Sequence, residues 1–166
     1  MRFFLRRMAV PAVLLAALCG PGLRSEDKEE EETKVALDKL PKPVVEAVKK
    51  MFPKAEMLEA SSEKEHDEMH YEVEIKDNGQ KIDVTVEEDG EIESLERELA
   101  IKDLPKAIVE AIAAKYPHST LKSAETVSEI EDGKEELELY EIQIETADKK
   151  EMEVKIKYEL EFVTEE

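Results

Sequence analysis

The chain has 166 residues, 41% hydrophobic and 5% aromatic with no Trp, so it can bury one moderate core or two small ones, built mainly from Val, Ile, Leu and Met. Asp and Glu number 43 against 24 Lys and Arg, and the net charge of −19 argues against binding nucleic acid or anionic lipid, which depends on basic patches. A single Cys excludes a disulfide-stapled scaffold, so stability must come from packing.

The first 25 residues differ from everything after them. Their charges are Arg2, Arg6, Arg7 and Arg24, and no acid appears before Glu26. The apolar run MAVPAVLLAALC, from Met8 to Cys19, followed by GPG, predicts a secretory signal peptide over 1–25. The run is shorter than the roughly 20 residues a spanning helix needs. Cleavage fits after Cys19, Gly22 or Ser25, and Leu18 stands where a lipidation signal wants a small residue. Losing those four arginines takes the net charge from −19 to −23. The expected location is the periplasm or the outside of the cell. EDKEEEETK, from Glu26 to Lys34, carries mostly like charge and no large apolar residue, which predicts a solvated, disordered tether over 26–37.

The stretch LPKPVVEAVKKMFPKAEMLEA, Leu40 to Ala60, returns as LPKAIVEAIAAKYPHSTLKSA, Leu104 to Ala124, at a constant offset of 64 from the first Leu-Pro to the second proline. Leu40, Val44, Val48 and Phe52, with Val45, recur at helical spacing, as do Leu104, Ile108, Ile112 and Tyr116 with Val109. Each phrase predicts an amphipathic helix of about three turns. Pro41 and Pro105 are expected at the first helical position, and Pro53 and Pro117 close the helices.

After each helix the period changes to 2. Met69, Tyr71, Val73 and Ile75 alternate with His70, Glu72, Glu74 and Lys76, and Asp77 to Gly79 reads as a hairpin turn. Ile82, Val84 and Val86 then share one face, with Asp83 and Thr85 on the other. EEDGE, Glu87 to Glu91, turns into IESLEREL, read as a strand although Ile92, Leu95 and Leu99 also fit helical spacing. In the second repeat LKSAETVSEIEDGKEE predicts a short strand and a turn at Asp132. LELYEIQIE then places Tyr140, Ile142 and Ile144 on one face and Leu137 and Leu139 in the opposite parity, which a bulge near Leu139 or Tyr140 reconciles. The last strand starts at Lys150, with Met152, Val154, Ile156, Tyr158, Leu160 and Phe162 on one side and Glu153, Lys155 and Lys157 on the other.

The expected fold class is α+β. Two tandem repeats, 38–99 and 100–166, each carry one helix on about four antiparallel strands, with the apolar face covered and the other face polar and wet. The short link from Ala100 to Asp103 favours docked modules over tethered beads, and one continuous sheet is among the arrangements it allows.

LPKPVVEAVKKMFP with YEVEI (Tyr71 to Ile75), and LPKAIVEAIAAKYP with YEIQI (Tyr140 to Ile144), in that order and repeated, resemble the PepSY-like family, also described as β-lactamase-inhibitor-like, over roughly residues 38–163. The resemblance implies an exported, non-catalytic module, often in tandem, that binds or inhibits a protein through the exposed face of its sheet. Aromatic anchors of inhibitory relatives are missing from the expected face, which carries Glu, Lys, Asp and Thr. The residues expected there, and nominated for partner binding, are Glu72, Glu74, Asp83, Thr85, Glu141, Gln143, Lys155 and Lys157. The expected partner is a basic or mixed-charge protein. A second reading, from charge alone, is an acidic cation-binding or buffering protein of the envelope, with weak divalent-cation binding.

Motifs for catalysis are thin, and no enzyme activity or cofactor is expected. HDEMH, His66 to His70, lacks the Glu after the first His that zinc proteases use as base, and it runs into a strand, where the two His sit about 13 Å apart at about 3.3 Å per residue. His118 follows Pro117 with no marked partner. The acidic turns lack the ligand spacing of a calcium loop and read as hairpin turns. With this many acids no general acid and base pair stands out.

Overall fold

Proline brackets both helices. In the computed structural model, which describes residues 32–65 and 68–163, helix α1 spans Lys42–Met51 and helix α2 spans Lys106–Lys115. Pro41 and Pro105 stand immediately before the first turn, one position earlier than expected, with φ of −55° and −56°. Proline's preset φ orients the chain for the helix from outside it as well as from inside. At the other end, the N–H of Phe52 donates to the carbonyl of Val48 (2.8 Å) and that of Tyr116 to Ile112 (2.7 Å), and then Pro53 and Pro117 have no N–H with which to continue. Val44, Val48, Ile108 and Ile112 are at most 1% exposed. Burying such a side chain contributes about 1.5–3 kcal/mol.

Nine strands follow one another in space as they do in sequence: β1 Thr33–Lys34, β2 Glu56–Glu65, β3 Glu68–Asp77, β4 Gln80–Glu87, β5 Ile92–Glu98, β6 Thr120–Glu131, β7 Lys134–Glu145, β8 Glu151–Lys157 and β9 Phe162–Val163. All neighbouring pairs are antiparallel, so the two repeats share one continuous sheet. The seam is the β5–β6 ladder, from Ser94 opposite Glu129 to Glu98 opposite Glu125. IESLEREL is thus a strand, as its position after a hairpin turn requires.

Register carries one face across the seam. Val84 faces Leu95, Arg97 faces Thr126, and Thr126 faces Tyr140, so the apolar sides of both repeats point the same way. Helix α1 packs there on Val73, Ile75, Ile82, Val84 and Leu95, and α2 on Ala124, Tyr140, Ile142, Ile144 and Ile156. Each core borrows a residue from beyond the seam. Ile130 of β6 packs against the first core, and Leu99, just after β5, packs against the second. Between the helices, Arg97 forms a two-pronged ion pair with Glu135.

Several expectations are corrected. The ordered unit begins inside the segment read as a tether, where Thr33 and Lys34 pair with Ser62 and Ser61 of β2. The signal peptide, residues 26–31 of the tether, His66 and Asp67 lie outside the described residues, and Val35 packs against the first core. The bulge expected near Leu139 or Tyr140 is present, at Glu138, where the ladder steps from Val127–Leu139 to Ser128–Leu137. That single extra residue puts Leu137 on the helix side and Leu139 on the open side. The final strand ends at Lys157, and Phe162–Val163 returns antiparallel as β9. A four-residue turn preserves the alternation of apolar residues, so Tyr158 and Leu160 fit the pattern yet are 59% and 44% exposed. Phe162 anchors the return by packing edge-on against Tyr116, ring centroids 6.3 Å apart.

Two hairpins turn through consecutive residues of positive φ, Asn78–Gly79 and Asp132–Gly133, the backbone that two-residue hairpin turns demand. Gly90 is needed for a second reason. A Cβ there would lie 2.9 Å from the carbonyl oxygen of Pro43, so the β4–β5 turn touches the start of α1 only because the side chain is absent.

Candidate functional site: the open face of the sheet

Both helices sit on one side, which leaves the alternate residues of every strand on a face that neither helix covers. Three adjacent rows cross it. The central row runs Glu59, Glu74, Asp83, Glu96, Val127, Leu139, Lys157 from β2 to β8. One flanking row is Ser61, Glu72, Thr85, Ser94, Glu129, Glu136. The other is Glu98, Glu125, Glu141, Lys155, Val163. All eight nominated residues lie on this face, Gln143 in a further row beside Ser123 and Glu153.

Their surroundings differ. Glu72, Glu74, Asp83, Gln143 and Lys157 are partly exposed, whereas Thr85, Glu141 and Lys155 are buried. The expected wet polar face therefore has a dry middle, completed by the apolar pair Val127 and Leu139 and by Glu96. Lys155 places its Nζ 2.8 Å from Oε1 of Glu141 and 3.3 Å from Glu153, and Gln143 donates to Glu153 at 2.7 Å. Burial pushes the Glu141 carboxyl up to about 7, Lys155 pulls the other way, and the charge of Glu96 adds to the rise. Burial opposes the charge of Lys155, but Glu141 and Glu153 more than offset it and raise its pKa, so the ammonium stays charged.

Carboxylate oxygens of Glu96, Glu125 and Glu141 come within 4.8 Å of one another, one from each of β5, β6 and β7. Such a trio could hold a cation only by competing with the ammonium of Lys155 already seated on Glu141, so it is a mixed ionic cluster. Farther along, Nδ1 of His70 lies 2.8 Å from Glu93, both at the edge of the face near β3 and β5. Burial raises the Glu93 carboxyl, the neighbouring His70 lowers it, and Glu87 raises it again.

At the β1–β3 end the face holds a hollow of about 190 Å³ lined by Glu32, Lys34, Glu59, Ala60, Ser61, Glu72 and Glu74. Two lining acids already hold lysines: Lys34 with Glu59 at 3.0 Å and Lys81 with Glu74 at 2.7 Å. The hollow is thus acidic, shallow and able to accept amino groups. It lies four strands from Glu141.

Glu96 and Glu125 escaped the sequence reading. The alternation of Ser94, Glu96 and Glu98 places Glu96 on the open face. Bringing it to Glu125 needed the β5–β6 register, which composition cannot supply.

Comparison with known proteins fits this architecture. The family described as "Putative beta-lactamase-inhibitor-like, PepSY-like" matches the chain twice, over residues 26–94 and 80–164. A search of curated proteins finds no match. Among solved structures, a DUF2874 family protein of Bacteroides uniformis superposes with a TM-score of 0.59 at 16% identity, covering 75% of this chain and 86% of that one. A BLIP-like protein of Bacteroides fragilis gives 0.54 at 17% identity over 75% and 83%. A "putative periplasmic" protein of Bacteroides eggerthii gives 0.59 at 18% over 75% and 86%. At these identities the likeness is one of fold. With both of its repeats matched, the chain belongs to the beta-lactamase-inhibitor-like, PepSY-like family.

Proposed function

We propose that this protein is an exported, non-catalytic binding module that receives a basic segment of a partner protein on the open face of its sheet. The observation that carries the reading is the continuous nine-strand face, with both helices on the opposite side and its acidic hollow at the β1–β3 end. Glu72 and Glu74 line that hollow, and Asp83 stands directly opposite Glu74 on β4. These acids would take Lys or Arg side chains from the partner, while the dry middle keeps the footprint rigid. The fold match to the periplasmic-type protein of B. eggerthii supports export, as does the basic and apolar start of the chain.

The test is capture from an envelope extract with the wild-type protein and a Glu72→Lys, Glu74→Lys, Asp83→Lys variant, at low and physiological salt. The reading predicts one defined protein held at physiological salt by the wild type and lost with the variant. If both forms retain the same mixture of basic proteins, and release it together as salt rises, nonspecific charge accounts for the binding and the module reading fails.

A further inference from the structure

We propose that the outer edge of β8, along residues 151–154, is a strand-addition site that takes an extended segment of a partner protein in which basic and apolar residues alternate.

The first repeat supplies the template. The turns after β4 and β8 share their backbone hydrogen bonds, made by Glu87 and Gly90 in one and by Lys157 and Leu160 in the other. Counted back from those turns, Ile82, Asp83 and Val84 correspond to Met152, Glu153 and Val154. Strand β5 covers the first set, with Arg97, Glu96 and Leu95 opposite, and Leu95 is buried to 1% exposure in the first core. In the second repeat β9 pairs Val163 with Lys155 and Phe162 with Ile156, and among the described residues no strand continues along 151–154. Thr164, Glu165 and Glu166, which lie outside the described residues, hold no apolar side chain to take the place of Leu95.

Backbone polarity makes this edge receptive. The N–H of Lys157 donates away from β7, to the carbonyl of Glu161. Backbone groups alternate sides along a strand, so Lys155, Glu153 and Glu151 point theirs the same way, those of Glu153 and Glu151 toward the open edge. Such a row of ladder groups is what an added strand pairs with.

Side chains select the occupant. Strand β9 covers the lysine half of β8 and leaves the acid half, where Glu151 is exposed and Glu153 half-buried. On the helix side Val154 is 3% exposed and Met152 packs against the second core. A fitting segment sets an apolar side chain beside Val154, as Leu95 stands beside Val84, and a Lys or Arg near Glu151, Glu153 being engaged with Gln143 and Lys155. A second copy fits poorly, because its strand β2, at the other border of the sheet, brings Glu56, Glu59, Glu63 and Glu65 against the same acids. The site lies across the sheet from the acidic hollow and stands whether or not the hollow binds.

The probe is an acetylated and amidated heptapeptide, KVKLKVK, added to ¹⁵N-labelled protein purified after expression of the full chain, with amide exchange read by NMR. In the free protein the Glu153 amide should exchange faster than that of Asp83, its covered counterpart, and faster than those of Met152 and Val154, which point to β7. Peptide at about ten times its Kd should slow exchange at Glu153 about tenfold. The same peptide N-methylated at the backbone of its lysines keeps its charge and should lose the effect. Glu151→Pro removes one outward N–H at the first residue of the strand, where proline is tolerated, and should weaken the peptide about fivefold, the scale of one hydrogen bond. Protection at Glu153 should persist in the Glu72→Lys, Glu74→Lys, Asp83→Lys variant, and its loss there would put the peptide on the open face instead. The proposal is overturned if Glu153 in the free protein is as protected as Asp83, since the chain's own last residues or a second copy then cover the edge. It is equally overturned if millimolar peptide leaves Glu153 unchanged, or if the N-methylated peptide slows it as much, since charge alone then acts.

Discussion

Lys155 and Glu141 stand 2.8 Å apart, each more than nine-tenths buried, on a sheet face that neither helix covers. A charge this shielded survives only with its partner in place, because removing one member leaves the other uncompensated in a medium of low polarity. Lys155→Met should therefore cost about 3–5 kcal/mol, and the double variant Lys155→Met, Glu141→Leu should recover most of it. Urea midpoints at pH 8 read both values. A single variant within about 0.5 kcal/mol of wild type would show that the pair is solvated and that the dry middle of the face is misread.

Glu138 offers an independent pH test. Burial first, then the hydrogen bond and charge of Glu129, push its carboxyl from an ordinary 4.5 up to about 7. The folded chain therefore keeps a proton there that the unfolded chain gives up, and stability tied to this group is full below about pH 4.5 and declines as pH rises through 7. Glu138→Gln should flatten the fall in unfolding midpoint between pH 5 and 8. An unchanged slope would mean that Glu138 titrates as an ordinary surface carboxylate.

The exchange of Ile130 and Leu99 between the two cores predicts cooperativity. Neither repeat keeps its full packing once the other opens, so thermal unfolding followed by near-UV and far-UV signals should give a single coincident transition. Ile130→Ala, at a half-buried position, should lower stability by about 1–2 kcal/mol while leaving one transition. Two resolved transitions in the wild type would establish that the repeats fold as separate domains.

What the sequence made legible follows physical range. Helices bounded by proline, strands of period 2 and Asp-Gly turns depend on neighbours in the chain, and those readings stand in Val44 and Val48, in Val73 and Ile75, and in Asp132. The eight nominated residues reach the open face for the same reason, since alternation settles which side a strand residue takes. Burial on that face was not legible, because Glu96, Val127 and Leu139 are shielded by neighbours on other strands. The reversal at Tyr158–Glu161 was hidden for a subtler reason: a turn of even length leaves the alternation intact, and no Gly or Asn marks it.

That unmarked turn carries the last prediction. The β4–β5 and β8–β9 turns make the same backbone hydrogen bonds, Gly90 to Glu87 and Glu87 to Glu91 in one, Leu160 to Lys157 and Lys157 to Glu161 in the other. Leu160 thus stands where the first repeat has Gly90, and both have positive φ, 71° and 96°. Left-handed backbone costs a bulky residue about 1–2 kcal/mol, and the extra freedom of Gly in the unfolded chain returns about 0.5–1 kcal/mol of that. Since Leu160 is 44% exposed, little burial is lost, and Leu160→Gly should stabilise the protein by about 0.5–1 kcal/mol. Gly90→Ala should do the reverse by about 1–3 kcal/mol, because its new Cβ meets Pro43 as well as an unfavourable φ. Urea midpoints of the two variants decide the matter. If Leu160→Gly instead destabilises the protein, the leucine side chain is contributing more through contacts at that end of the sheet than the backbone loses in holding it there.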